Sequence, residues 1–280
     1  MAKFSYDLGA LQGKSRWLRT SLFDMAMSKK KGHVPSSFSM AEILVALYYG
    51  GVMKYNPQRP DWQEKDRLII SKGHGAMAAY PILADVGYFP VVELEKFTRR
   101  EGILRQYADN SIPGVECVTG SLGHGLGIGA GFSLAAKHDG RSSRAFVVVS
   151  DGECYEGSVT EATRFAAHHC LNNLVCVVDR NKRIILGDTE KLLRHEPQPM
   201  EKQWESLGWF AQRVDGHSYQ DIFSAFDRIA QSDKPSVIIA DTIKGKGVNE
   251  MEGNINYHNK FPTPEKIQEF RAELQKRIIG

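Results

Sequence analysis

The stretch RAFVVVSDGECYEGSVTEATRFAAHHCLNNLVCVVDRN, residues 144–181, sets two Val-rich runs on either side of a helical pattern. RAFVVVS (144–150) and LVCVVD (174–179) are almost continuously apolar, the mark of strands buried on both faces of a parallel sheet. Apolar positions at helical spacing over 159–169 supply the crossover that two parallel neighbours need. Each run ends on polar residues, Ser150-Asp151-Gly152 and Asp179-Arg180-Asn181. Ligands of such sheets bind at the carboxyl ends of the strands. Asp151 and Asn181, thirty residues apart, are therefore expected at one sheet edge.

Working outward, RLIIS (67–71), WFAQRVD (209–215) and SVIIAD (236–241) read as further strands. Helical patterns at 198–207 and 219–231 separate the later ones. Upstream, residues 8–31 carry Leu8, Leu11, Trp17, Leu18, Leu22, Met25 and Met27 at helical spacing and end at Gly32. A second helix is expected over Met40–Tyr49 with Ser39 as its N-cap, and a third over AMAAYPILADVG (76–87). The fold class expected is α/β, a parallel central sheet with helices on both faces. It forms one domain over residues 1–280, in which residues 1–60 are an N-terminal helical extension.

Composition narrows the function. With 42% hydrophobic, 25% charged and 10% aromatic residues, the 280-residue chain has the make-up of a soluble globular protein. Its net charge of +3 is scattered, and the one basic cluster, Lys29-Lys30-Lys31, reads as a solvated helix end. No nucleic-acid partner is expected. Cys117, Cys154, Cys170 and Cys176 show no CxxC spacing and are expected as reduced thiols of a cytoplasmic protein. No run of about 18 apolar residues crosses a membrane, and MAKFSYDLGALQGKSRW lacks a signal-peptide core.

Asp151 and Asn181 suit a hard divalent cation. One carboxylate, one amide oxygen and one backbone carbonyl, completed by diphosphate and water oxygens, fill an octahedral shell. The same two residues also suit a helix N-cap and a turn, and spacing alone leaves both readings open.

The segment from SDGECYEG to VCVVDRN resembles the thiamine-diphosphate signature. More widely, residues 10–270 resemble the amino-terminal half of transketolases, a half that some organisms make as a separate subunit. The resemblance is carried, in family order, by KGHVPSSFSMAEIL, LIISKGHGAMAAY, IPGVECVTGSLGHGLGIGAG, SDGECYEG, VCVVDRN, TIKGKGV and the YHN at 257–259. It implies the thiamine-diphosphate-binding fold of the diphosphate (PP) type. Asp151 and the Asn181 side chain would ligate Mg2+ (or Ca2+), with the Arg183 backbone carbonyl as third ligand. Gly152 would admit the diphosphate, Gly120 and Leu122 would line the cofactor, Ile185 would pack near it, and Glu156 would join an acidic network at the cofactor interface. His33, His74 and His258 would be catalytic: His33 would move substrate protons, His74 would contact the diphosphate or the substrate, and His258 would sit by the diphosphate as a candidate proton shuttle. His217 is expected to be structural, and His168 and His169 to pack or meet solvent.

The resemblance further implies a two-component enzyme. The glutamate that activates the cofactor belongs to a pyrimidine-binding domain that 280 residues leave no room for. The expected partner is a C-terminal-type transketolase subunit carrying that domain, in an α2β2 assembly. The expected reaction moves a two-carbon ketol unit from a ketose (phosphate) donor to an aldehyde acceptor. Two departures touch the donor. LRQYADNSIPGVE lacks the histidine usual before PGVE and has Gln106 nearest its place, and SLGHG puts His124 where glutamine is usual. Ser150 also replaces the first glycine of the signature. Gln106 and His124 are accordingly substrate candidates. A 2-oxo acid such as pyruvate is the alternative donor, and a non-catalytic regulatory subunit the second alternative.

Overall fold

The structure, a computed structural model, describes residues 6–192, 198–258 and 260–276. Asn259 of the YHN motif lies outside them.

Helix α1 spans Leu8–Lys29, with the Asp7 carboxylate accepting the Ala10 N–H at 3.1 Å as its N-cap. A five-residue helix, α2 (Val34–Phe38), starts directly after His33, and α3 covers Ala41–Tyr49. Ser39 does not cap α3, whose N-cap is Met40 with no side-chain bond. The Ser39 hydroxyl instead donates to Asp179 Oδ2 at 2.6 Å, because a fully buried carboxylate needs donors more than a helix end does. Strand β1 (Arg67–Ile70) runs into a 3-10 turn at Gly73–Ala78 and then α4 (Ala79–Asp85), so the expected helix at 76–87 begins as 3-10. Helix α5 (Gly125–His138) precedes β2 (Ala145–Ser150), α6 (Gly157–His168) and β3 (Leu174–Arg180). A small hairpin follows, β4 (Arg183–Ile184) with β5 (Gly187–Asp188), then α7 (Thr189–Leu192) and α8 (Met200–Ser206). Strand β6 (Phe210–Asp215), α9 (Tyr219–Ile229), β7 (Ser236–Asp241) and α10 (Pro264–Lys276) complete the order.

The five long strands form one parallel sheet in the order β1-β2-β3-β7-β6. Register puts Ser150 opposite Asp179 and Asp179 opposite Ala240, so the ends of β2, β3 and β7 are level. Alternate strand residues enter different cores. Phe146, Val148, Val175, Val177, Ile238 and Ala240 pack with buried residues of α1, α3, α4, α9 and α10. Val147, Val149, Leu174, Cys176, Val178 and Ile239 pack with those of α5, α6 and α8. Burial of each such side chain is worth about 1.5–3 kcal/mol, and coverage of both faces explains why the strands do not alternate with polar residues.

Helix α5 is the element least expected from sequence, since GLGIGAG is rich in a poor helix former. Packing explains it. A Cβ on Gly129 would lie 2.3 Å from Val147 Cγ2 and 3.3 Å from Leu174 Cδ1, so the glycine lets α5 lie close on the sheet. Gly129→Ala is expected to destabilise the fold by about 1–3 kcal/mol through overpacking, outweighing the roughly 1 kcal/mol gained in helix propensity. Denaturant unfolding measures this. A stabilised variant would show that α5 can shift freely.

Two tethers bear on the site. Arg19 of α1 and Glu42 of α3 form a fully buried ion pair, with Arg19 Nη2 2.7 Å from Glu42 Oε2. Glu42 also accepts from His217 Nδ1 at 2.8 Å, while His217 Nε2 accepts the Ile243 N–H at 2.9 Å. This histidine therefore clamps α3 to the segment after β7. At the other end, α10 packs on α1 through buried Phe270 and Leu274, and the Arg271 guanidinium grips the Asp24 carboxylate at 2.8–3.1 Å. No disulfide joins any of the four cysteines, and no described helix is long and apolar enough to cross a membrane.

Candidate functional site

Segments leaving the carboxyl ends of β1, β2, β3 and β7 meet the start of α2 and the turn before α10 around a cleft of about 360 Å3. It is lined by His33, His74, Tyr107, Gly120, Leu122, Ser150, Gly152, Glu153, Asn181, Arg183, Ile184, Ile185, Lys244 and His258. Most of the residues singled out from sequence thus stand together, contributed by segments more than 200 residues apart.

Backbone proximity shapes the cleft. Gly120 has φ +139, a conformation for glycine. A Cβ on Gly73 would lie 2.5 Å from the Gly120 nitrogen, so the His74 turn and this loop touch backbone to backbone. At Gly152 a Cβ would strike Ile184 Cγ2 at 2.4 Å, so that glycine makes room for the hairpin as well as for a ligand.

The three histidines form a cluster, with ring centroids 5.3 Å apart for His33–His258, 5.8 Å for His33–His74 and 6.2 Å for His74–His258. His33 Nδ1 donates to the His258 carbonyl at 3.2 Å, which leaves its Nε2 as an acceptor. His258 Nδ1 receives Lys244 Nζ at 2.8 Å, which puts the proton of the neutral ring on Nε2. All three are held neutral. Burial, then Lys72, drives His74 down to about 2. Burial, then Lys244, takes His258 to about 4. Burial lowers His33 against the bond to His258 that opposes it. The Lys244 ammonium is itself lowered to about 8 by burial and by Lys72.

A base lowered on folding is protonated first in the unfolded chain, so these histidines subtract stability as pH falls below about 6.5. The His74 and His258 ring resonances are expected to stay at their neutral shifts from pH 8 to 5 in NMR titration. A midpoint near 6.5 for either would mean that its ring faces open solvent.

Beneath the cleft lies a buried polar network. Asp179 and Lys72 are fully buried and paired. Lys72 also donates to the Ser36 carbonyl at 2.7 Å, and Asp179 accepts from Ser39, Thr242 and, at 3.4 Å, Asn181 Nδ2. Burial alone would raise Asp179, but Lys72 and these donors bring it below the usual carboxylate range. This carboxylate joins the segments that carry His33, His74, Asn181 and Lys244.

The fit of a cation can be tested on Asp151. It is buried at 3% exposure, its Oδ2 accepts from the Lys182 N–H at 3.0 Å and Thr189 Oγ1 at 3.2 Å, and its Oδ1 has no partner. Burial and the Asp179 charge raise it to about 6. An orphaned carboxylate oxygen of this kind costs about 1–3 kcal/mol unless a ligand meets it. Asn181 Oδ1 and the Arg183 carbonyl, which accepts Lys244 Nζ at 3.3 Å, are nearby oxygen donors of the kind hard cations take. Among the described residues, no three His, Cys, Asp or Glu gather as a metal cluster. A cation here would take its remaining oxygens from its ligand and water.

Asp151 itself is buried next to Gly152 and is not on the cleft wall, and three further candidates stand apart. Glu156 is exposed and not on the cleft wall. Gln106 is half-buried and off the wall, whereas its neighbour Tyr107 lines the cleft with its ring 6.4 Å from His33. His124 is exposed and Nδ1 bonds within its own turn, to the Leu122 carbonyl at 3.1 Å. His168 and His169 stack edge to face beside Phe165, away from the cleft. Sequence reasoning missed Lys244, Glu153, Tyr107 and the Lys72–Asp179 pair. The signal for Lys244 was its place just past a strand and directly before Gly245, in TIKGKGV.

Comparison with known proteins follows the same line. The family described as transketolase, thiamine diphosphate binding domain, matches residues 14–276. The chain is 39% identical over 88% of its length to 6-deoxy-6-sulfo-D-fructose transketolase subunit SqwG of a Clostridium species, covering 89% of that protein. It is 35% identical over 96% of its length to an apulose-4-phosphate transketolase subunit from Phocaeicola vulgatus, covering 95% of it. Against human transketolase the identity is 34% over 98% of this chain, which spans 44% of that protein. Among solved structures, transketolase from Campylobacter jejuni superposes with a TM-score of 0.89 at 29% identity, over 96% of this chain and 43% of that one.

Proposed function

The chain belongs to the transketolase family, through its thiamine-diphosphate-binding domain, and from that premise we propose that it is the diphosphate-binding subunit of a two-component enzyme transferring a two-carbon ketol unit from a ketose or ketose phosphate to an aldehyde. The observation that carries this reading is the buried Oδ1 of Asp151, which has no hydrogen-bond partner, at the end of β2 next to Gly152 of the cleft wall.

In this reading residues 1–280 form a single diphosphate-binding domain, with residues 1–60 as its helical extension. Asp151, Asn181 Oδ1 and the Arg183 carbonyl hold Mg2+ (or Ca2+). Gly120, Leu122, Gly152, Ile185, His74 and His258 receive the cofactor, with Lys244 as an added cation for its diphosphate. The cofactor, when bound, supplies a nucleophilic carbon and an electron sink. The chain's own contribution is orientation and proton handling. His33 Nε2 is an acceptor and His258 Nε2–H a donor, so the pair can take a proton from one substrate oxygen and give one to another. Because both rings are neutral at pH 7, neither role requires a prior change of charge. His33→Ala is expected to leave cofactor affinity nearly unchanged and to slow turnover by about 10²–10⁴-fold. A large loss of binding would show that His33 belongs to the cofactor site.

The partner is a C-terminal-type transketolase subunit with the pyrimidine-binding domain, in an α2β2 assembly. Support comes from the relatives named as subunits and from apolar side chains left bare at the cleft. Ile185 is 66% and Leu186 79% exposed on the hairpin, and Tyr107 is 44% exposed on the wall. Bare side chains of this size are expected to be covered, and Glu156, exposed on the loop after β2, would then meet the partner. Four cysteines without a disulfide suit a cytoplasmic location.

The test is calorimetric titration of thiamine diphosphate, with and without Mg2+, into the chain alone and into its mixture with a pyrimidine-domain subunit. Metal-dependent binding tightened by the partner is expected. No binding in either sample would remove the cofactor assignment.

A further inference from the structure

The loop side of the cleft is held by a carboxylate to which the proposed chemistry gives no part. Glu153 is 1% exposed and meets donors from three segments. Its Oε1 accepts the Gly123 N–H at 2.8 Å and the Ser71 hydroxyl, and its Oε2 accepts the Ser150 N–H at 3.2 Å. Ser71 relays the contact, its Oγ accepting the Gly125 N–H at 3.0 Å. One side chain thus binds the end of β1, the end of β2 and the loop that enters α5. A Cβ on Gly125 would sit 2.3 Å from Ser71 Oγ, so that glycine is what lets the relay close.

The loop needs such a restraint. Gly120 and Gly123 both have positive φ, at +139 and +85, and glycine loses more freedom on ordering than any other residue. The Gly123 and Gly125 amides are buried donors that require an acceptor. A carboxylate offers acceptors at both oxygens, whereas a glutamine offers one and turns an NH2 group against the N–H facing the other. Glu153 forms no ion pair among the described residues. Lys72 acts on it from a distance, and burial raises its affinity for a proton.

We propose that Glu153 is a positioning residue that sets the loop carrying Gly120 and Leu122 against Gly152, and so fixes the width of the slot between them. Its role toward a ligand rests on the reading of this slot as the thiamine-diphosphate site.

The test is amide hydrogen exchange on the intact chain for wild type, Glu153→Gln, Ser71→Ala and the double variant, with thiamine diphosphate and Mg2+ titrated into each. In Glu153→Gln the Gly123 and Gly125 amides are expected to exchange about tenfold faster or more, with Ile238 in β7 unchanged, and cofactor affinity to fall by about tenfold. Ser71→Ala should speed Gly125 and add little in the Glu153→Gln background, because both act through one relay. Loop exchange within twofold of wild type, or faster exchange with unchanged cofactor affinity, overturns the proposal. If Glu153→Gln does not fold, Ser71→Ala decides alone, and an unchanged Gly125 amide overturns the relay. Failure of the wild type to bind the cofactor instead strikes the functional reading, and the exchange data still judge the hold on the loop.

Discussion

Asp151→Ala is expected to abolish metal-dependent binding of thiamine diphosphate while leaving the unliganded protein about as stable as the wild type. The two halves have one cause. In the unliganded chain Asp151 is a buried carboxylate raised to about 6, with one oxygen bonded to Lys182 N–H and Thr189 and the other unmet. Its removal gives up two hydrogen bonds, each worth about 0.5–1.5 kcal/mol. It also relieves a desolvation penalty and the repulsion with Asp179. With cofactor and metal, the same carboxylate is the only anionic protein ligand of the proposed set. Its loss should exceed the roughly 10–100-fold that removal of a mere supporting partner costs. Thermal unfolding with and without Mg2+ and thiamine diphosphate reads both effects: the ligand-induced upshift vanishes while the baseline stays. An upshift equal to wild type would end the metal assignment.

Asp179→Ala carries the largest stability effect, a loss of about 3–5 kcal/mol, because it leaves the Lys72 ammonium buried without its counter-charge. That is a large share of a typical total stability of about 5–15 kcal/mol. Ser39 and Thr242 would lose their acceptor at the same time. The double variant Lys72→Met/Asp179→Leu should recover most of the loss, since apolar replacement of a buried pair is often close to neutral. Urea unfolding of the single and double variants separates the two effects. A single variant within about 1 kcal/mol of wild type would mean that water reaches the pair.

Much of this architecture was legible in the chain. The strands announced themselves because residues such as Val147–Val149 and Val175–Val178 are apolar on both sides, which only a doubly covered sheet tolerates. Helix α2 was not legible, since five residues hold too little periodicity to detect. Nor was α5, where glycines chosen for contact with Val147 look like loop. At the site, Asn181 and the three histidines stood in recognisable stretches and line one cleft, with Asp151 buried next to its wall. Glu153 and Glu156 show the limit. Three positions apart in one acidic segment, they are equivalent on paper, yet the 3-10 turn at Gly152–Tyr155 sends the first inward and leaves the second in solvent. Lys72 and Asp179 are similarly silent, because a pairing across 107 residues has no local signature.

The seating of α10 on α1 has a consequence for how the protein is born. The two helices are separated by roughly 235 residues, so a ribosome adding about 5–20 residues per second leaves α1 without this neighbour for on the order of 10–50 s. During that interval the surface of α1 destined for Phe270 and Leu274 is bare, and Asp24 waits for Arg271. His258, a few residues ahead of α10, is among the last site residues to emerge. The nascent chain therefore builds its sheet first and its cleft last, and a chain stalled before Pro264 would present an apolar face to chaperones.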